Sequence, residues 1–217
     1  FWHFRFDAHA VMKLNVLTDY IAMSSDIKKV YIIGQDYSFG QVVSDTSIAL
    51  LREKRPDIEI VGNEFHPIGQ VKDFTPYVTK IVSSDADAVI TGNFGADMVS
   101  LARSIIDSGL DIPIYTFYAA YDGITATLGA DGVDKIYLVH NDAGNPIPTE
   151  ERLAYTRNFK RLNPNNDMTQ FRITNALQML VQAMEASQST DPYDIALALE
   201  DMRFTNMSGE ELWMRGE

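Results

Sequence analysis

Three short stretches of this sequence carry the residue types from which a binding surface could be built. They are Gln35-Asp36-Tyr37-Ser38-Phe39-Gly40, Gly92-Asn93-Phe94-Gly95-Ala96-Asp97 and Phe117-Tyr118-Ala119-Ala120-Tyr121-Asp122. Each sets at least one aromatic ring beside small or polar residues. Rings supply flat apolar area and amides supply directional hydrogen bonds, a combination that encloses small organic ligands. Phe39, Asn93, Phe94, Tyr118 and Tyr121 are the candidate ligand-binding residues. One such aromatic could simply close the top of a core; three loops with rings at corresponding positions favour a pocket.

Chemistry of other kinds finds no support. None of GxGxxG, GxxxxGK[ST], HExxH or GxSxG occurs. The histidines His3, His9, His66 and His140 are scattered without metal-ligand spacing, and the absence of cysteine removes thiolate sites and nucleophiles. No catalytic residue, metal ligand or cofactor is therefore assigned, and the chain is not expected to be an enzyme. Asp85 and Asp87 alternate where an apolar run begins and are expected to be solvated there rather than paired for catalysis.

The loops must be held by the elements around them. Five apolar runs, rich in Val and Ile, read as buried parallel strands: Lys29-Val30-Tyr31-Ile32-Ile33-Gly34, Ile58-Glu59-Ile60-Val61-Gly62, Ala86 to Gly92, Ile112 to Phe117 and Lys135 to Val139. Amphipathic stretches at about Ala8 to Met23, Ser38 to Glu53, Asp73 to Ser83 and Gly95 to Ser108 read as helices, the last stopped by Gly109. Alternation with short connections predicts an α/β fold, a parallel sheet covered on both faces. The first strand, Val30 to Ile33, is expected in its middle, and the three candidate loops fall at the carboxyl ends of strands, where such sheets keep their ligand crevice.

Beyond Asn141 the pattern changes. Asn141 to Pro148 is turn-forming; Thr149 caps a helix with acids in its first turn; a long helix follows at about Met168 to Ser187; and Ser189 to Pro192 cap a short one, Tyr193 to Leu199. In the long helix Ile173, Leu177, Leu180, Val181 and Met184 form one apolar stripe that needs a cover. The chain opens at Phe1-Trp2-His3-Phe4-Arg5-Phe6, three alternating aromatics and no Met, and ends on a strand-like Glu211 to Glu217, so it is expected to be cut from a longer protein.

Composition narrows the class further. Of 217 residues 46% are hydrophobic and 22% charged, which is globular, and no run of eighteen apolar residues offers a membrane span. A formal net charge of -12 repels phosphate backbones, so nucleic acid is not an expected partner.

The stretch Asp26 to Gly40, with its strand and Asp36-Tyr37-Ser38-Phe39-Gly40, resembles the strand and D-x-x-Y-G loop of type I periplasmic solute-binding proteins, the branched-chain amino acid receptors of ABC transporters. Asp73 to Ile81 is similar to their DFS helix, Asp85 to Gly92 to PDAVF-x-G, Ala102 to Leu110 to ARE-x-GL, and Thr174 to Leu180 to YDAVQLL. The resemblance implies two lobes that close by a hinge on a small organic ligand and deliver it to an ABC permease from the periplasm. It implies a hinge segment at 1–7, the ligand-binding lobe at 8–148, and a return segment at 149–217 whose helices would pack on a first lobe largely missing from this chain. A homodimer through the apolar stripe is the other way of covering it. The family's loop tyrosine falls on Phe39, which keeps stacking and loses a hydroxyl. Its acid after the fourth strand, which holds a ligand ammonium, meets Tyr118-Ala119-Ala120-Tyr121, with Asp122 just beyond. An aromatic or aliphatic carboxylate, an amide or a short organic acid then suits the loops better than a plain branched-chain amino acid. Two other users of this fold compete: the effector domain of a transcription regulator, and a flavodoxin-like enzyme domain, for which Gln35-Asp36-Tyr37 is a poor phosphate cradle.

Overall fold

The computed structural model describes residues 2–6, 8–119, 124–140, 149–164, 166 and 171–214. The chain divides into two compact units, His9–His140 and Phe1–Ala8 with Asn141–Glu217.

In the first unit the elements follow in the order α1 (Ala10–Ala22), β1 (Lys29–Gln35), α2 (Ser38–Lys54), β2 (Glu59–His66), α3 (Thr75–Ser83), β3 (Ala88–Thr91), α4 (Gly95–Asp107), β4 (Ile114–Thr116), the short α5 (Ile124–Leu128), a 3-10 turn and β5 (Ile136–Leu138). The strands form one parallel sheet in the order β2-β1-β3-β4-β5. The middle strand is thus β3, which corrects the expectation that Val30–Ile33 would be central. An apolar run reports burial on both faces, a property that β1 and β3 share, and says nothing of which neighbours a strand takes.

Alternation along the strands sorts two cores. Tyr31, Ile33, Val89 and Ile114 face Phe74, Val78 and Ile81 at α3 and Met98, Leu101 and Ile105 on α4. Val30, Ile32, Ala88, Ile90 and Tyr115 face Leu14, Leu17 and Ile21 on α1 and Val43 and Leu51 on α2. Successive side chains of a strand leave on opposite faces, so one sheet serves both layers. Asp87, expected to be solvated, instead ties the starts of β1 and β3 together. Its Oδ2 accepts the backbone N–H groups of Lys28 and Lys29, each at 2.8 Å.

The second unit contains α6 (Glu150–Leu162), α7 (Phe171–Ser187), α8 (Pro192–Leu199) and an antiparallel hairpin of β6 (Arg203–Thr205) and β7 (Glu211–Trp213). Thr149 Oγ1 accepts from Arg152 N–H at 3.2 Å and caps α6; Asp191 Oδ1 does the same for Tyr193 N–H at 2.9 Å, before Pro192 opens α8. Its small core joins Met179 and Ala183 to Leu199 and Met214, with Phe4 and Phe6 packed against them. The face of α7 carrying Ile173, Leu177, Leu180 and Val181 is exposed. No helix among the described residues is long and apolar enough to cross a membrane.

Candidate ligand-binding site

A doubly wound sheet opens a crevice where its strand order turns back, and here that point lies between β1 and β3. The loop after β1 brings Tyr37 and Phe39; the loop after β3 brings Phe94; the loop after β4 brings Tyr118. The rings converge. Phe39 and Tyr118 have centroids 5.9 Å apart, Phe94 and Tyr118 6.1 Å, Tyr37 and Phe39 5.9 Å, and Tyr37 and Phe94 6.5 Å. Phe117 supports them from below, 5.7 Å from Tyr118, and is itself buried. Of the sequence candidates, Phe39, Phe94 and Tyr118 therefore share one rim, and Phe94 stays 40% exposed there, an outlay of apolar surface that a ligand would recover. Tyr121 lies outside the described residues.

Two glycines let the loops take this course. A Cβ on Gly40 would sit 1.9 Å from the Gln35 carbonyl oxygen, so α2 can begin this close to the end of β1 only with glycine there. Gly95, at φ +60°, takes a left-handed conformation that starts α4 directly after Phe94.

Asn93 is placed differently from the other candidates: it is fully buried beneath the rim, in a row of polar side chains. Gln35 is in register with His66 across β1 and β2, and Asn93 follows two residues after Thr91, the partner of Ile33. All three leave the sheet on the α3 and α4 side. Asn93 Nδ2 lies 2.8 Å from His66 Nε2, and His66 Nδ1 lies 3.2 Å from the Pro67 carbonyl oxygen. That oxygen can only accept, so the network puts the ring proton on Nδ1 and lets Nε2 accept from Asn93. Gln35 Nε2 donates to Asp97 Oδ2 at 2.7 Å, and Gly69 N–H donates to the same oxygen at 2.8 Å. This row links the loops after β1, β2 and β3 and so sets the spacing of the rings above it. Its members are far apart in sequence and meet only through strand register, so no sequence pattern points to Gln35, His66 and Asp97 as a group.

The electrostatics of the rim come from helix ends as much as from side chains. The N-cap positions of α2 and α4 are Tyr37 and Phe94, neither of which makes a side-chain cap hydrogen bond. No N-cap side chain takes up the first-turn N–H groups of either helix, and α4 carries the buried acid Asp97 in its own first turn. Burial raises the pKa of the Tyr37 hydroxyl. No group of three His, Cys, Asp or Glu able to hold a metal ion occurs among the described residues.

The family profile for periplasmic binding proteins matches residues 1–216, and the chain belongs to that family, whose members bind solutes and are not enzymes. The chain is 26% identical over 163 residues to the Leu/Ile/Val-binding protein homolog 4 of Brucella abortus, covering 75% of this chain and 38% of that protein. A Leu-, Ile-, Val-, Thr- and Ala-binding protein of Brucella ovis, solved in a closed conformation, superposes with a TM-score of 0.79 at 25% identity over 99% of this chain and 55% of the other. A solute-binding protein of an R. palustris ABC transporter, solved with benzoate, gives a TM-score of 0.82 at 18% identity over 95% of this chain and 56% of that one, a likeness of fold alone. The chain spans under two-fifths of the curated relatives it matches and little more than half of these solved chains.

Proposed function

We propose that this chain serves an extracytoplasmic receptor, acting in the periplasm, that captures a small organic solute and hands it to an ABC permease. The observation that carries the reading is the cluster of Phe39, Phe94 and Tyr118 at the switch point of the sheet, with ring centroids about 6 Å apart. The ligand class is an amino acid, an aromatic or aliphatic carboxylate, or an amide. The relatives' names point the same way, to branched-chain amino acids in one case and benzoate in another. In this reading residues 1–7 are a hinge segment, 8–148 the ligand-binding lobe, and 149–217 a return segment whose exposed α7 face packs on the first lobe, largely missing from this chain. That lobe would close the crevice from above.

Native mass spectrometry of the freshly purified full natural protein should find a retained small molecule. Calorimetry with that molecule should give the same affinity with and without chelator, and no product should appear. Phe39→Ala should weaken binding by about 1–3 kcal/mol through lost stacking and apolar burial. An unchanged affinity would remove Phe39 from the site.

A further inference from the structure

We propose that Asp97 is a positioning residue that makes the loop after β2, residues 67–70, a fourth wall of the ligand crevice beside the three aromatic loops. This rests on the reading of the aromatic rim as the ligand site. β2 is the edge strand, β1 lies between it and β3, and Asp97 stands in the first turn of α4, which follows β3. Gly69, just past the end of β2, donates its backbone N–H to Asp97 Oδ2 at 2.8 Å. A bond between these two points carries the loop across the carboxyl end of β1, beside the switch point between β1 and β3. Gln35, the last residue of β1, marks the same path. Its Nε2 donates to that Oδ2 at 2.7 Å, so the ends of three strands meet at one oxygen.

The loop is shaped for that crossing. His66, at the end of β2, is bonded to Asn93 beyond β3 at 2.8 Å, so the loop is tied across β1 at its root as well as at Gly69. Gly69 turns at φ +66°, and a Cβ there would meet nothing within 4 Å, so the backbone conformation and not crowding calls for glycine. Asp97 is 3% exposed, and its carboxylate is held by Gln35 and Gly69. A buried carboxylate is costly unless it is hydrogen-bonded. Two donors on one oxygen, together with its place in the first turn of α4, offset that cost. The loop leaves Ile68 40% exposed, as Phe94 is, so both present apolar surface at the carboxyl end of the sheet. With the loop held, a ligand meets a preformed wall. With it released, the loop must be ordered at each binding event, which lowers affinity.

Leucine and benzoate serve as probes on the full natural protein. At least one should bind wild type, and Asp97→Ala should weaken that binding about 10-fold or more, the effect of a wall left to order itself. Hydrogen exchange of residues 67–70 should speed up in Asp97→Ala while the amides of β1 and β3 keep their protection. Asp97→Asn should restore both affinity and protection. Its amide oxygen can accept two hydrogen bonds, and its added N–H meets Gln35 Oε1, which is buried without a hydrogen-bond partner. An acid that merely stabilises the fold would raise exchange in β1 and β3 as well, and that result overturns the proposal. An Asp97→Asn protein that binds no better than Asp97→Ala overturns it too. So does a 67–70 segment that loosens with affinity unchanged while Phe39→Ala still weakens binding: the aromatic rim then stands and the fourth wall falls. Unchanged affinity in both alanine variants, or binding of neither probe by wild type, removes the aromatic-rim reading and this inference with it.

Discussion

The two compact units solve the problem of burial to different degrees. In His9–His140 a single sheet separates two apolar layers, and the strands between them are nearly inaccessible: Val30, Ile33, Val89 and Ile90 are all at 0% exposure. In the other unit the small core around Met179 and Ala183 coexists with an α7 face on which Ile173, Leu177 and Val181 are 52%, 58% and 52% exposed. A cleft of about 650 Å³ runs along that face, lined by Tyr155, Leu177, Gln178, Val181 and Phe204. A helix needs one buried stripe to be stable, and α7 has two apolar ones: Phe171, Met179 and Ala183 turned inward, and a second turned out. The first unit buries its apolar faces against its own helices; the second leaves one apolar face of α7 in solvent.

The comparison is most exposed to failure in the first unit's core. Phe74 is fully buried and packs edge-on against His66, centroids 4.9 Å apart, beneath the polar row. Phe74→Ala should cost about 3–5 kcal/mol of unfolding free energy in a denaturant titration. A loss below about 1 kcal/mol would mean that this layer is not the tightly packed core described. Because His66 anchors Asn93, the variant should also loosen the loop that carries Phe94.

How much of this is legible in the residues follows from what a sequence encodes locally. The runs from Lys29 and Ala86 are continuous apolar strings, so the doubly covered parallel sheet is legible. The three aromatic loops are legible because each follows such a string. Strand order is not, since β1 and β3 have the same pattern and differ only in neighbours. The second apolar run ends at Gly62, whereas its strand, Glu59–His66, continues; this edge strand is only partly buried and its last residues break the apolar pattern. The β6–β7 hairpin, three residues per strand, is too short to give a period.

A second, more moderate effect concerns pH. Tyr115 is 4% exposed on β4, beside Tyr137 at 5.5 Å and Tyr20 at 6.2 Å, and its hydroxyl pKa is pushed up to about 12, first by burial and then by those two neighbours. The folded pKa is raised above the unfolded value of 10.0, so the fold favours the protonated form. Its contribution is fully present below pH 10.0 and is lost as pH rises toward about 12. Melting temperature should therefore fall across that window, and Tyr115→Phe should flatten the fall. An unaltered alkaline limb in the variant would place the sensitive group elsewhere, with Tyr31, raised by burial and by its bond to Glu64, the next to replace.

The smallest expected effect is the one that tests the second unit. Leu177 projects from α7 at 58% exposure, and removing a side chain already in water takes little from the folded state. Leu177→Ala in the 217-residue chain should change stability by no more than about 0.5 kcal/mol, the usual range for surface sites. The same substitution in the full natural protein should cost about 1.5–3 kcal/mol if the first lobe covers the stripe, since burial of a leucine is worth that much. The contrast between the two backgrounds is the informative quantity, because it cancels helix propensity, which is common to both. Light scattering adds the other occupant: a 217-residue chain at twice its 24.4 kDa mass that dissociates on Leu177→Asp would show two copies covering each other. A monomer in which Leu177→Ala is mild, paired with a full-length protein in which it is equally mild, would mean that nothing covers this face. The assignment of α7 to a lobe contact would then fall.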